Sequence, residues 1–248
     1  MADSFSEIDD IFYSDGFKLA ASILDNRLDP LSLDMVTSEL YETIDSLLSA
    51  FVSRVKQEAK ALACKKGCYY CCTQPVFINP LEAFFLQAYI FKNFGEKEIE
   101  EIRKRTNSKH EITKGMSMKK MLVYKQECPL LKNNICTAYP ARPMACRIYL
   151  SSDLPSCIGF YEDPEKDSSY ARLYEFPLHA GRMLNEGIAK WLELKHLKPH
   201  VLTFESALKY ILDERDAAQK WIENRAGFEV RELSEEDLKT LKNFELNK

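Results

Sequence analysis

The chain has 248 residues, of which 46% are hydrophobic and 29% charged. A chain of this length buries roughly 70% of its unfolded surface, enough for one large domain or two small ones without metal to complete a core. A net charge of −4 argues against a nucleic-acid binder, which normally needs a basic face. The most apolar run, Ala83–Phe91, is interrupted by Gln87 and falls well short of the roughly 20 residues that cross a bilayer. The acidic first ten residues lack the apolar core of a signal peptide, so a cytoplasmic location is expected, without a membrane or nucleic acid among the partners.

In chain order, Phe17–Leu24, between Gly16 and Pro30, reads as one helix. From about Leu33 to Leu62, Leu40, Ile44, Leu47, Leu48, Phe51 and Val55 recur at helical spacing, and no Gly or Pro interrupts them. Asn79-Pro80-Leu81-Glu82 has the form of a helix start, with Asn as cap, Pro in the first turn and Glu three residues after the cap. That helix is expected to reach Asn93 and stop at Gly95. A charged, solvated helix follows, with Glu100/Lys104 and Glu101/Arg105 as supporting pairs. Residues 107–127 read as a linker. Residues 128–164 carry prolines 129, 140, 143, 155 and 164, and within them Cys128–Tyr139 reads as two short strands around Lys132-Asn133-Asn134. Helices return over about Leu178–Lys195 and Phe204–Arg225, followed by a short one at Ser234 with Asp237 completing a Ser-x-x-Asp box. Trp191 and Trp221 read as core. The expected fold is mostly α, a helical domain with a small irregular cysteine-rich metal-binding module carrying a short β-hairpin. Its parts are N-terminal helices (1–62), a cysteine region (63–165) and C-terminal helices (166–248), packed as one compact unit.

The cysteines carry the chemistry. Cys64, Cys68, Cys71 and Cys72 fall within one short run, and Cys128, Cys136, Cys146 and Cys157 follow in the proline-broken stretch. In a reducing compartment such clusters bind metal or do redox chemistry more often than they form disulfides. Tetrahedral zinc and a cubane cluster each take four thiolates, so eight allow two centres, or one with spare thiols. Neighbouring side chains point to different sides, so Cys71 and Cys72 are expected to serve different metals or one larger cluster. The division proposed by the spacing is Cys64, Cys68 and Cys71 at one centre and Cys72 with the later cysteines. Metal would then staple the two halves together, neither holding its shape alone. The dense run, Tyr69-Tyr70 between ligands and the Cys128-Pro129 dipeptide favour an iron–sulfur cluster of the [4Fe-4S] type, with zinc as the alternative. Arg142 and Arg147 flank Cys146 and are placed to offset the negative charge of the centre by donating to sulfur. His110, His179, His196 and His200 are scattered, and no triad or P-loop is visible.

The spacing of Cys64, Cys68 and Cys71 also matches the radical S-adenosylmethionine enzymes, but a long helix precedes it where those have a strand. Taken together, CKKGCYYCC and CPLLKNNICTAYPARPMACRIY resemble the YkgJ-like cysteine-cluster family. Its pattern is met by Cys64, Cys68, Cys71, Cys72, Cys128, Pro129, Leu130, Leu131, Cys136, Tyr139, Arg142, Pro143, Cys146 and Arg147, with Cys157 as the eighth cysteine. The resemblance covers about Cys64–Cys157 and implies zinc or iron chelation. It also brings in proteins named flagellin lysine N-methylases, although no glycine-rich methyl-donor motif is present. Three functions follow: an iron–sulfur (or zinc) protein of redox or electron-transfer character with a protein or redox partner, a protein-lysine methyltransferase using S-adenosylmethionine, or a structural zinc module for protein interaction. If the chain is an enzyme, it is an oxidoreductase or a methyltransferase.

Overall fold

The computed structural model describes residues 2–166, 170–231, 234–237 and 239–240, with side chains from residue 7 onward. The chain is mostly helical, with two small antiparallel strand pairs. Helix α1 (Ala2–Leu24) lies along α8 (Glu175–Leu194). Gly16 faces the Leu184 carbonyl and Gly187 faces the Tyr13 carbonyl, so one index falls as the other rises and the pair is antiparallel. At both points a Cβ would overlap backbone, and only glycine permits this approach. Ala20 and Ala180, both fully buried, continue the same register.

Helix α2 (Pro30–Gln57) starts at a capping box in which Asp29 accepts from Ser32 N at 2.9 Å. Its stripe of Leu33, Val36, Leu40, Ile44, Leu48 and Val55 is buried, as the periodicity indicated. It ends at Gln57, earlier than expected, where Ala59 takes a left-handed φ of 53°. Helix α3 (Pro80–Asn93) is capped by Asn79 and Glu82 as read from the sequence. The Glu82 carboxylate is buried because it has more to do: it also accepts from Met144 N at 2.6 Å and Tyr41 Oη at 3.2 Å.

Other expectations fail too, and the first helix starts at Ala2 rather than near Phe17. The stretch read as a linker is helical, since α4 runs over Glu96–Thr113 and α5 over Met118–Val123. The inward stripe of α4 is Ile102, Thr106, Lys109, His110 and Thr113. Its spacing is helical but its residues are mostly polar, so a search for apolar periodicity passes over it. The single C-terminal helix is two, α9 (Phe204–Asp213) and α10 (Ala217–Ile222). At the break, Gln87 Nε2 donates to Ile211 O at 2.6 Å and Glu214 O at 2.7 Å, while Arg103 donates to Leu212 O at 2.7 Å. Side chains of α3 and α4 thus take over the carbonyls that end α9. Arg103 also pairs with Glu100 and Asp213, and Arg105 donates to Leu131 O at 2.8 Å, uses that differ from the pairs read along the helix.

The hairpin forms as β2 (Leu131–Lys132) and β3 (Ile135–Cys136). Asn133 and Asn134, at φ 53° and 60°, make its two-residue turn. A second pair was not foreseen: β1 (Phe77–Ile78) pairs with β4 (Leu202–Thr203), tying the segment after the first cysteine run to the C-terminal helices. Between these lie α6 (Met144–Arg147) and α7 (Leu154–Glu162). The principal apolar core draws on α1, α2, α3, α8, α9 and α10 together and includes Trp191 and Trp221. The helices before and after the cysteine region therefore share one apolar interior, and metal is not their only tie. Among the described residues no helix is long and apolar enough to cross a membrane. Part of the short helix at Ser234 lies outside the described residues, but Ser234 and Asp237 form the expected box, Asp237 N donating to Ser234 Oγ at 3.1 Å.

Candidate metal centre

All eight cysteines are free thiols, seven of them half-buried and Cys146 exposed. Two backbone contacts bring the cysteine segments together. Cys128 N donates to Cys72 O at 2.8 Å, and Ala63 N donates to Ser151 O at 2.9 Å. Ser151 returns the contact, its N–H pointing at Cys64 Sγ at 3.2 Å. Cys68 and Cys71 sit on either side of Tyr69 and Tyr70, next to Gly67 with its φ of 85°. Tyr69 and Tyr70 stack at 4.9 Å, and Tyr161 meets them edge-on at 6.2 and 5.5 Å. Tyr161 belongs to α7, so this cluster seats the helix that carries Cys157 against the turn (Tyr70–Thr73) that carries Cys71 and Cys72.

Electrostatics sort the sulfurs. Burial raises the Cys64 thiol, the Ser151 N–H opposes this, and the charges of Cys157 and Cys68 raise it further. Burial raises Cys157 too, with Cys68 among its neighbours. Burial first, and then Cys71, Cys157 and Cys64, hold the Tyr149 hydroxyl above its ordinary value. Cys64, Cys68 and Cys157 are therefore neighbours, and Cys71 borders them while feeling Cys72 and Cys146 more strongly than Cys64. In a second group, burial pushes Cys128 up to about 12 and Cys136 is its neighbour. Cys136 in turn is raised by burial and by Cys72. Cys146 is pushed well up by the protein around it and then by Cys128, Cys72 and Cys136. Its residue is exposed, at the rim of this set. The second neighbourhood is Cys72, Cys128, Cys136 and Cys146.

Cys71 and Cys72 form the seam. They share a tight 3₁₀ turn, and each thiol is the strongest influence on the other. The Cys71 thiol is held high, by Cys72 first and then by burial, whereas Cys72 is held low by Cys71, against burial. Among the described residues no three cysteine, histidine or carboxylate side chains stand close enough to enclose a metal ion as they are placed. The two sets are neighbourhoods of thiols, not closed coordination shells. As donors they fit a thiolate-bound metal: soft sulfur, four to a set, none consumed in a disulfide.

The neighbouring residues divide. Arg142 lies over the Tyr139 ring at 3.8 Å, donates to Tyr139 O at 3.3 Å, and its charge lowers both Cys136 and Cys146. Arg147 does something else. It is 2% exposed and donates from Nε to Arg142 O at 2.9 Å and from its other nitrogens to Pro140 O and Asp45. Its guanidinium also covers Tyr41 at 3.8 Å, so these bonds fasten the cysteine loop to α2 rather than reaching sulfur. Sequence reading missed Lys109, Tyr149, Ser151 and Glu205. The helical spacing of Ile102, Thr106, Lys109 and Thr113 was the one signal available for Lys109.

Residues 63–171 match the profile of the CxxCxxCC family, described as a "Putative zinc- or iron-chelating domain". Over those residues the chain is similar to that family. The match takes in all eight cysteines and leaves α1, α2, α8 and everything after it outside. No curated protein and no solved structure is significantly similar to the chain. Across the matched residues the first cysteine run and the proline-broken stretch contribute to both neighbourhoods, so neither segment holds a whole set alone.

Proposed function

We propose that the protein binds metal through two four-thiolate centres, one at Cys64, Cys68, Cys71 and Cys157 and the other at Cys72, Cys128, Cys136 and Cys146. What supports this reading is the grouping of the free thiols, Cys64, Cys68 and Cys157 on one side and Cys72, Cys128, Cys136 and Cys146 on the other, with Cys71 between them. The metal is an iron–sulfur cluster, for which the dense first run and Cys128-Pro129 speak, and the function is electron transfer or redox chemistry with a protein partner. When bound, such clusters supply a one-electron couple. The protein's own part is to position and shield them. Ser151 N–H points at Cys64 Sγ, Arg142 offsets charge at Cys136 and Cys146, and the tyrosine cluster packs the helix bearing Cys157 against the turn bearing Cys71.

Anaerobic purification with quantification of iron, sulfide and zinc tests this. Iron and sulfide in equal amounts with a dithionite-bleachable absorbance support the cluster, and stoichiometric zinc without sulfide replaces it with a zinc protein. In Cys72→Ser, roughly half of the bound metal is expected to be lost. Loss of all or none would break the two-centre division.

A further inference from the structure

We infer that the cleft between α4 and the segment leading into Cys128 is a binding site for a small polyanion, a phosphate- or polycarboxylate-bearing molecule held by Lys104, Arg105 and Lys125. At about 480 Å³ it has the size that small-molecule sites take. Lys104, Arg105 and Ser108 line it from α4, and Lys125, Gln126, Glu127 and Cys128 line it from the segment that runs on from α5. Three cations therefore stand against one carboxylate, a local reversal of sign in a chain whose net charge is −4. An adjoining cleft shares Lys104 and Arg105 and adds Lys132 and Glu101. None of the cations is a cysteine's neighbour in the chain, and the inference stands apart from the two-centre reading.

The fold leaves these donors free for a ligand. Arg105 uses Nη1 for Leu131 O at 2.8 Å, which fixes the guanidinium and leaves its remaining N–H groups. Gln126 accepts from the Tyr124 hydroxyl at 2.8 Å through Oε1, so its amide nitrogen remains to donate. Lys104 and Ser108 are exposed. Lys125 decides the matter. Its Nζ is buried, lies 3.8 Å from the centre of the Phe160 ring, and meets no hydrogen-bond acceptor among the described residues. The ring face offsets part of the cost of enclosing an ammonium, but it accepts none of the three hydrogen bonds the group can donate. A buried cation left in that state is costly, and an anion is what would satisfy it. The flexible four-carbon stem lets Nζ turn from Phe160 to an oxyanion in the cleft that Lys125 already lines. Bound there, the oxyanion gains charge-assisted hydrogen bonds from three side chains on two elements.

Calorimetric titration of the full-length protein with fructose 1,6-bisphosphate and with tricarballylate tests this. Saturable binding of one molecule per chain is expected, and the probe that binds more tightly identifies phosphate or carboxylate as the recognised group. Lys125→Met should weaken binding about tenfold and Lys104→Gln about threefold. Glu127→Gln removes the opposing carboxylate and should tighten it. Lys190→Gln, at an exposed lysine of α8, should change nothing. If Lys125 only covers Phe160, Lys125→Met binds as wild type does, and that result overturns the inference. Equal weakening in Lys125→Met and Lys190→Gln marks diffuse attraction and overturns it too, as does failure of both probes to bind at about 10 mM. Should Lys125→Met not fold, Lys104→Gln and Glu127→Gln decide: shifts of opposite sign support the site, and shifts of the same sign or none overturn it.

Discussion

Asp34 is a half-buried carboxylate on α2 whose ordinary value of 3.8 is raised by burial to about 6. An acid raised on folding works against the folded state once it ionises. Its neutral form is fully compatible with folding below about pH 4, and that stability is lost as pH rises through about 6. Asp34→Asn is therefore expected to stabilise the protein at pH 7 by about 1 kcal/mol, after allowing for the side chain's remaining contact with water. At pH 4 the gain should vanish, and urea melts of both proteins at the two pH values check it. Residue-scale roles were unevenly legible. The motif made Arg147 conspicuous, yet the fold spends it on Asp45 and two carbonyls. Lys109 was invisible because its meaning comes from Glu205, nearly a hundred residues away on another helix.

At the scale of elements, the sequence was clear wherever local chemistry decides. Asn79 and Glu82 fix the start of α3, and the Asn133-Asn134 turn fixes the hairpin, through hydrogen bonds or dihedrals within a few residues. It was opaque where tertiary partners decide, as at the α9/α10 break, which is held by Gln87 and Arg103 from other helices. The α1/α8 seam is of the second kind, since nothing local marks Gly16 and Gly187 as contact points. Gly187→Ala puts a Cβ into the Tyr13 carbonyl and the Phe17 backbone nitrogen, and neither can move without shifting α1. Overpacking of this sort costs about 1–3 kcal/mol, with the upper end expected for a clash with backbone. Thermal denaturation of Gly187→Ala against a Gly227→Ala control measures it, since at Gly227 the nearest atom to an added Cβ is a Tyr210 ring carbon at 3.7 Å.

Across the whole molecule, the question is whether metal makes the fold or completes it. Small zinc domains unfold when stripped because the metal replaces a core they lack. Here the apolar interior already joins α1, α2 and α3 to α8, α9 and α10, and β1 pairs with β4 across the same divide. The cysteine loop contributes Leu130, Ala138, Ala141, Met144 and Ile148 to that interior, so it is anchored at several points besides its thiols. Chelation should accordingly leave most of the helical circular dichroism in place. It should open the proteolytic sites of the cysteine segments first, around residues 64–72 and 124–166. A metal present at a thousand times its Kd stabilises by about 4 kcal/mol. For a chain of this size that corresponds to a loss of roughly 8–16 °C in Tm on stripping. Collapse of the helical signal on chelation would instead make the thiol centres the nucleus of the fold, with the helices around α1 and α8 dependent on them.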